Sequence, residues 1–101
     1  MQEKRLSLSG FNLDSSEKER VNVLLNKYIN KIEERIHHTY DELKLRLKKS
    51  LHGKSFLHEI EVDVIMKGTI ISSKMTDYNL YTALSGVFDK ILVEIDHKFR
   101  K

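Results

Sequence analysis

The stretch ELKLRLKKSLHGKSFLHEIEVDVIM, Glu42 to Met66, decides the fold. Its first part alternates strictly, with Leu43, Leu45 and Leu47 on one side and Lys44, Arg46 and Lys48 on the other. Its last part repeats the pattern with Ile60, Val62 and Val64 against Glu59, Glu61 and Asp63. A period of two means strands with one dry and one wet face. A hairpin turning near Gly53 would set the basic row opposite the acidic row. Each cross-strand pair of opposite charge contributes about 0.2–1 kcal/mol and helps to fix register.

Outward from this hairpin, Lys67-Gly68 suggests a tight turn into a further strand, Thr69 to Met75. Upstream, Leu6 and Leu8 alternate with polar neighbours in a short strand, Lys4 to Ser9, which Gly10 ends. Between the two lies a helical period: Val21, Leu25, Tyr28, Ile32 and Ile36 form a stripe, which Leu24 and Ile29 widen. The spacing predicts a helix from a capping box at Ser16 and Glu19 to about His37. The last segment, Asn79 to Lys101, carries Leu80, Leu84, Val87, Phe88, Ile91 and Ile95 on one helical face, which must be buried. The order is therefore strand, helix, three strands, helix. The expected fold is α+β: a two-layer β-α-β-β-β-α sandwich, a four-stranded sheet with both helices on one face. Local pattern leaves open whether the first strand pairs centrally or at an edge.

Composition fits one ordinary domain spanning residues 1–101, with 40% apolar and 33% charged residues. Neither a membrane span nor a secretory signal is recognisable, so cytoplasmic residence and no membrane partner are expected. The absence of cysteine excludes disulfides, thiolate zinc sites and a cysteine nucleophile. Eighteen basic against fifteen acidic residues, net +3, is too mild a bias to announce a polyanion partner, so the distribution of charge has to decide.

Tyr81-Thr-Ala-Leu-Ser-Gly-Val-Phe-Asp-Lys-Ile91 resembles the closing helix of the ribosome hibernation promoting factor family, small proteins that occupy the decoding region of an idle small ribosomal subunit. The element order is that family's over nearly the whole chain, and implies a fold like that of double-stranded RNA-binding domains. Gly68, Ile71 and Ser73 suit the family's turn and helix-facing strand. Asn79-Leu-Tyr-Thr-Ala-Leu84, Gly86 and Asp89-Lys-Ile91 suit its last helix, and Lys31-Ile-Glu33 falls where such proteins carry Lys-Leu-Glu. The chain departs from the pattern at Val93, Glu94 and Asp96, where further basic or amide positions are usual, and in a longer, more basic hairpin from Lys48 to Phe56. A short, single-domain member is the compatible form.

Candidate RNA contacts are Lys27, Lys31 and Lys90, with Arg35, Lys98, Arg100 and Lys101 as weaker supports; Lys27, Lys31 and Arg35 are four apart in one stripe on the first helix, and Lys90, His97 and Lys101 lie near one stripe on the last. If the two stripes face the same way they make a groove for phosphates, with salt-dependent affinity. Most exposed charged rows are simply solvated faces. Opposite charges in register account for Lys44 and Arg46, whereas Lys49, His52 and Lys54 stay available for a phosphate backbone. Tyr40, Phe56 and Tyr78 sit near element ends, where rings either close the core edge or stack on an unpaired base.

His37 and His38 are adjacent and lack partners at helical spacing, so no metal is expected. No nucleophile elbow, P-loop or dinucleotide fingerprint occurs, so no cofactor, small-molecule substrate or catalysis is expected. The resemblance implies a ribosome-associated translation inhibitor that binds small-subunit RNA and blocks the decoding region by occupancy under stress. The alternative is a protein-interaction or homodimerisation module of the same fold; either way the chain is expected to be a monomer or weak homodimer.

Overall fold

The computed structural model describes residues 5–36, 40–66 and 68–99. Lys4, His37, His38, Lys67, Arg100 and Lys101, which figure in the expectations above, lie outside the described residues. The order of elements is β1 (Arg5–Ser9), α1 (Ser15–Ile36), β2 (Glu42–His52), β3 (Ser55–Met66), β4 (Thr69–Asp77) and α2 (Leu80–Phe99). It is the expected β-α-β-β-β-α order, with β2, β3 and β4 each running further than the alternation alone indicated.

The four strands form one sheet in the order β1-β2-β3-β4. β1 is an edge strand parallel to β2, pairing from Arg5↔Glu42 to Ser9↔Arg46. The Ser7 hydroxyl, donating to Glu42 Oε2 at 2.7 Å, ties the two together. The other pairs are antiparallel. In β2–β3 the register is Lys44↔Asp63, Arg46↔Glu61 and Lys48↔Glu59, basic row against acidic row as the alternation predicts. The turn falls at Gly53, whose positive φ of 64° is a conformation that glycine adopts at no steric cost.

One sheet face is dry. Leu43, Leu45, Leu47, Ile60, Val62, Val64 and Ile71 project from it into a core with Val21, Leu25, Tyr28, Ile32 and Ile36 of α1 and Leu84, Val87, Phe88, Ile91 and Ile95 of α2. Leu6 and Leu8 align with Leu43 and Leu45 but stay half exposed, because β1 is the edge and nothing among the described residues lies beyond it to cover them. Gly10 ends β1 at positive φ, and a Cβ there would collide with the Leu47 carbonyl oxygen.

The start of α1 corrects the sequence reading. The capping box is Asp14 and Glu17, not Ser16 and Glu19: the Glu17 amide donates to Asp14 Oδ1 at 2.8 Å and the Asp14 amide to Glu17 Oε1 at 3.2 Å. Aspartate caps as well as serine, and starting at Ser15 adds helix and puts Glu17 in the third helical position. At α2, Asn79 Oδ1 accepts from the amides of Tyr81 and Thr82 at 2.9 and 3.0 Å, and Asp77 Oδ1 holds the Asn79 amide at 2.8 Å. No helix among the described residues is long and apolar enough to cross a membrane.

Candidate functional site

The flank of α1 that faces α2 carries the predicted cations. Lys27 and Lys31 each hold their Nζ 5.4 Å from the Tyr28 ring centroid, within the reach of a cation–π attraction. Tyr28 is fixed from below and from the side. Its ring stacks on Phe88 of α2 at 5.0 Å with 7° between planes, and its hydroxyl donates to Asp89 Oδ1 at 3.3 Å. Burial pushes its pKa above the ordinary value; the hydrogen bond with Ser85 opposes this and the Asp89 carboxylate adds to it. One turn on, Arg35 Nε lies 3.2 Å from Asp96 Oδ1. Of the three positions where α2 departs from the resemblance, Asp96 is thus the one that bears on the seam, where it occupies a predicted RNA contact; Val93 and Glu94 are exposed.

Lys90 goes elsewhere. Successive residues on a helix are turned by about 100°, so Lys90 cannot share the seam with Asp89. Its Nζ donates to the Lys74 carbonyl of β4 at 2.8 Å, on the opposite flank of α2. Lys98 is exposed in the last turn. The two basic stripes therefore do not line one groove: Lys27, Lys31 and Arg35 come together, and Lys90 belongs to the β4 edge.

Arg20 is a seam residue that the sequence reading missed. Its guanidinium lies 3.9 Å over the Tyr81 ring. Extending the stripe back seven residues from Lys27 would have found it. Near it an apolar groove of about 630 Å³ opens between the helices, lined by Arg20, Val23, Leu24, Tyr81 and Ser85.

The polar sheet face is internally matched. Arg46 sits between Glu61 at 2.6 Å and Asp63 at 3.4 Å, Lys74 reaches Glu59 at 3.2 Å, and the Ser72 hydroxyl donates to Asp63 at 2.7 Å. Arg46 is thus structural, as expected. Lys44 is not paired in the same way, because its register partner Asp63 is already held by Arg46 and Ser72. Of the three rings near element ends, Tyr40 closes the core, its pKa pushed up to about 12 by burial and then by the Glu33 charge. Phe56 and Tyr78 are exposed.

A family model described as Phage protein Gp19/Gp15/Gp42 matches residues 11–93. No curated protein matches the chain. Among solved structures it is similar to a ribosomal subunit interface protein from Coxiella burnetii, with 10% identity and a TM-score of 0.66 over 97% of this chain and 98% of that one. It is also similar to the N-terminal domain of Thermus thermophilus Protein Y, with 22% identity and a TM-score of 0.60 over 95% and 99% of the two chains. Both belong to the hibernation-factor family, so the likeness in fold that the sequence resemblance implied is borne out.

Proposed function

The chain belongs to the Phage protein Gp19/Gp15/Gp42 family, and from that premise, joined to its fold, we propose that it is a non-enzymatic factor that docks on small-subunit ribosomal RNA. On this reading it blocks the decoding region by occupancy, lowers translation under stress, and acts in the cytoplasm. The end-to-end likeness to a ribosomal subunit interface protein supports the reading. The observation that carries it to residues is the pair Lys27 and Lys31, held side by side over Tyr28 with no ion pair among the described residues. Two such ammonium groups would meet backbone phosphates, with affinity drawn from counterion release. Arg35 and Lys90 contribute less, since each already has a partner.

Co-sedimentation with purified small subunits across a salt series tests this. The wild-type chain should pellet with subunits at low salt and come off as salt rises. Lys27→Glu with Lys31→Glu should weaken binding at least about tenfold and lower the slope of log affinity against log salt by about 1.5. Undiminished binding by that variant sinks the site, and failure of the wild type to pellet at low salt sinks the reading.

A second reading is favoured by the apolar groove beside Arg20 and Tyr81: the same fold as a protein-interaction or homodimerisation module. It predicts no pelleting with subunits and a concentration-dependent dimer in sedimentation velocity.

A further inference from the structure

The hairpin that the sequence marked as long and basic is a two-stranded projection. β1 stops opposite Arg46 and β4 stops opposite His58, so residues 49–57 have no strand on either side. Residues 48–58 contain Lys48, Lys49, Lys54, His52 and His58 and not one acid. Among the described residues none of the three lysines has an ion pair. Leu51 and Phe56 stand directly opposite each other on this projection, 64% and 52% exposed. Such exposure of a cross-strand apolar pair contributes nothing to the core. At the tip, Gly53 has nothing within 4 Å of where a Cβ would be, so the turn is open to close approach.

We propose that this hairpin is a finger for unpaired RNA, with Phe56 stacking on a base, Leu51 packing beside it, and Lys49 and Lys54 meeting the flanking phosphates. The proposal rests on the RNA-binding reading and adds a second contact to it. Aromatic rings carry bases in single strands because an unpaired base offers its whole π-face. In an A-form duplex that face is stacked, and the major groove is too narrow for side chains to read. The finger therefore prefers single strands, whereas the seam lysines meet phosphates of either form.

The test measures anisotropy of a labelled oligouridylate and of a short RNA duplex, beside subunit co-sedimentation. The wild type should bind the oligouridylate more tightly than the duplex. Phe56→Ala should lose about tenfold on the oligouridylate and nothing on the duplex, with Phe56→Tyr restoring the loss. Lys49→Glu with Lys54→Glu should weaken both and lower the single-strand salt slope by about 1.4. Because Phe56 is exposed, an unchanged thermal midpoint will show that the variants fold. Equal binding of Phe56→Ala and wild type to the oligouridylate overturns the finger. So does a Phe56→Ala defect confined to self-association or to anionic phospholipid vesicles. If the chain pellets with subunits while tip variants change nothing, the finger alone has failed; if neither subunits nor oligouridylate are bound, the underlying reading has failed with it.

Discussion

The seam between α1 and α2 and the tip of the β2–β3 hairpin both set lysines around an aromatic ring, yet they are built in opposite ways. At the seam the ring is Tyr28, buried and stacked on Phe88, and acids Asp89 and Asp96 stand among the cations. At the tip the ring is Phe56, exposed, and no acid lies within the run. The seam's ring serves the core first and its charges are partly spent on neighbouring side chains. Among the described residues, the tip's charges have no ion pair and its ring stands half exposed. Counting lysines treats the two as equals, whereas what each lysine already holds separates them.

Stability separates them most sharply. Phe88→Ala removes a fully buried ring from under Tyr28 and should cost about 3–5 kcal/mol. Phe56→Ala should cost less than about 0.5 kcal/mol, as exposed substitutions do. Paired urea melts check this, and a comparable loss at both positions would break the comparison.

Alkaline titration probes the buried side next. Tyr40 ionises at 10.0 when unfolded and at about 12 when folded, because burial and Glu33 disfavour its phenolate. With the folded value above the unfolded one, its stabilisation is full below pH 10 and is lost as pH rises through about 12. Tyr28, raised in the same direction, adds to the loss. Melts between pH 9 and 12 should show a steep decline that Tyr40→Phe flattens, while Phe56→Tyr, exposed at the tip, should leave the decline unaltered.

The smallest effect sharpens the contrast by making the seam more like the tip. Asp96→Asn frees Arg35 from a partly exposed pair, so stability should change by only about 0.2–1 kcal/mol. Affinity for small subunits should rise a few-fold at low salt, and a fall would mean that Asp96 positions Arg35 instead of competing for it.

Much of this architecture was legible where a pattern had one solution. With the turn at Gly53, Lys44, Arg46 and Lys48 come opposite Asp63, Glu61 and Glu59, the basic row against the acidic row as the alternation implies. The parity of Leu6 and Leu8 gave their face but not their neighbour, since a parallel edge and a central place look the same locally. Capping was misread because two overlapping boxes, Asp14–Glu17 and Ser16–Glu19, both satisfy the rule, and the earlier one adds helix. The site was only half legible. Spacing put Lys27, Lys31 and Arg35 on one flank, but which flank of α2 faces α1 is a tertiary matter, and it sent Lys90 to the Lys74 carbonyl and Asp96 to Arg35.

The parallel pairing of β1 also bears on the order of assembly. β2, β3, β4 and α2 are joined by short turns, so their contacts close cheaply, whereas Arg5 meets Glu42 only after all of α1 has been spanned. β1 has five residues, one sheet neighbour and half-exposed leucines, so it is the strand with least to lose by leaving. Its amides should be the first of the sheet to exchange with solvent, in an opening that leaves the β2–β4 ladder intact. Such an opening would uncover the β2 edge beside Leu43 and Leu45, turning a quiet border of the molecule into its most reactive one.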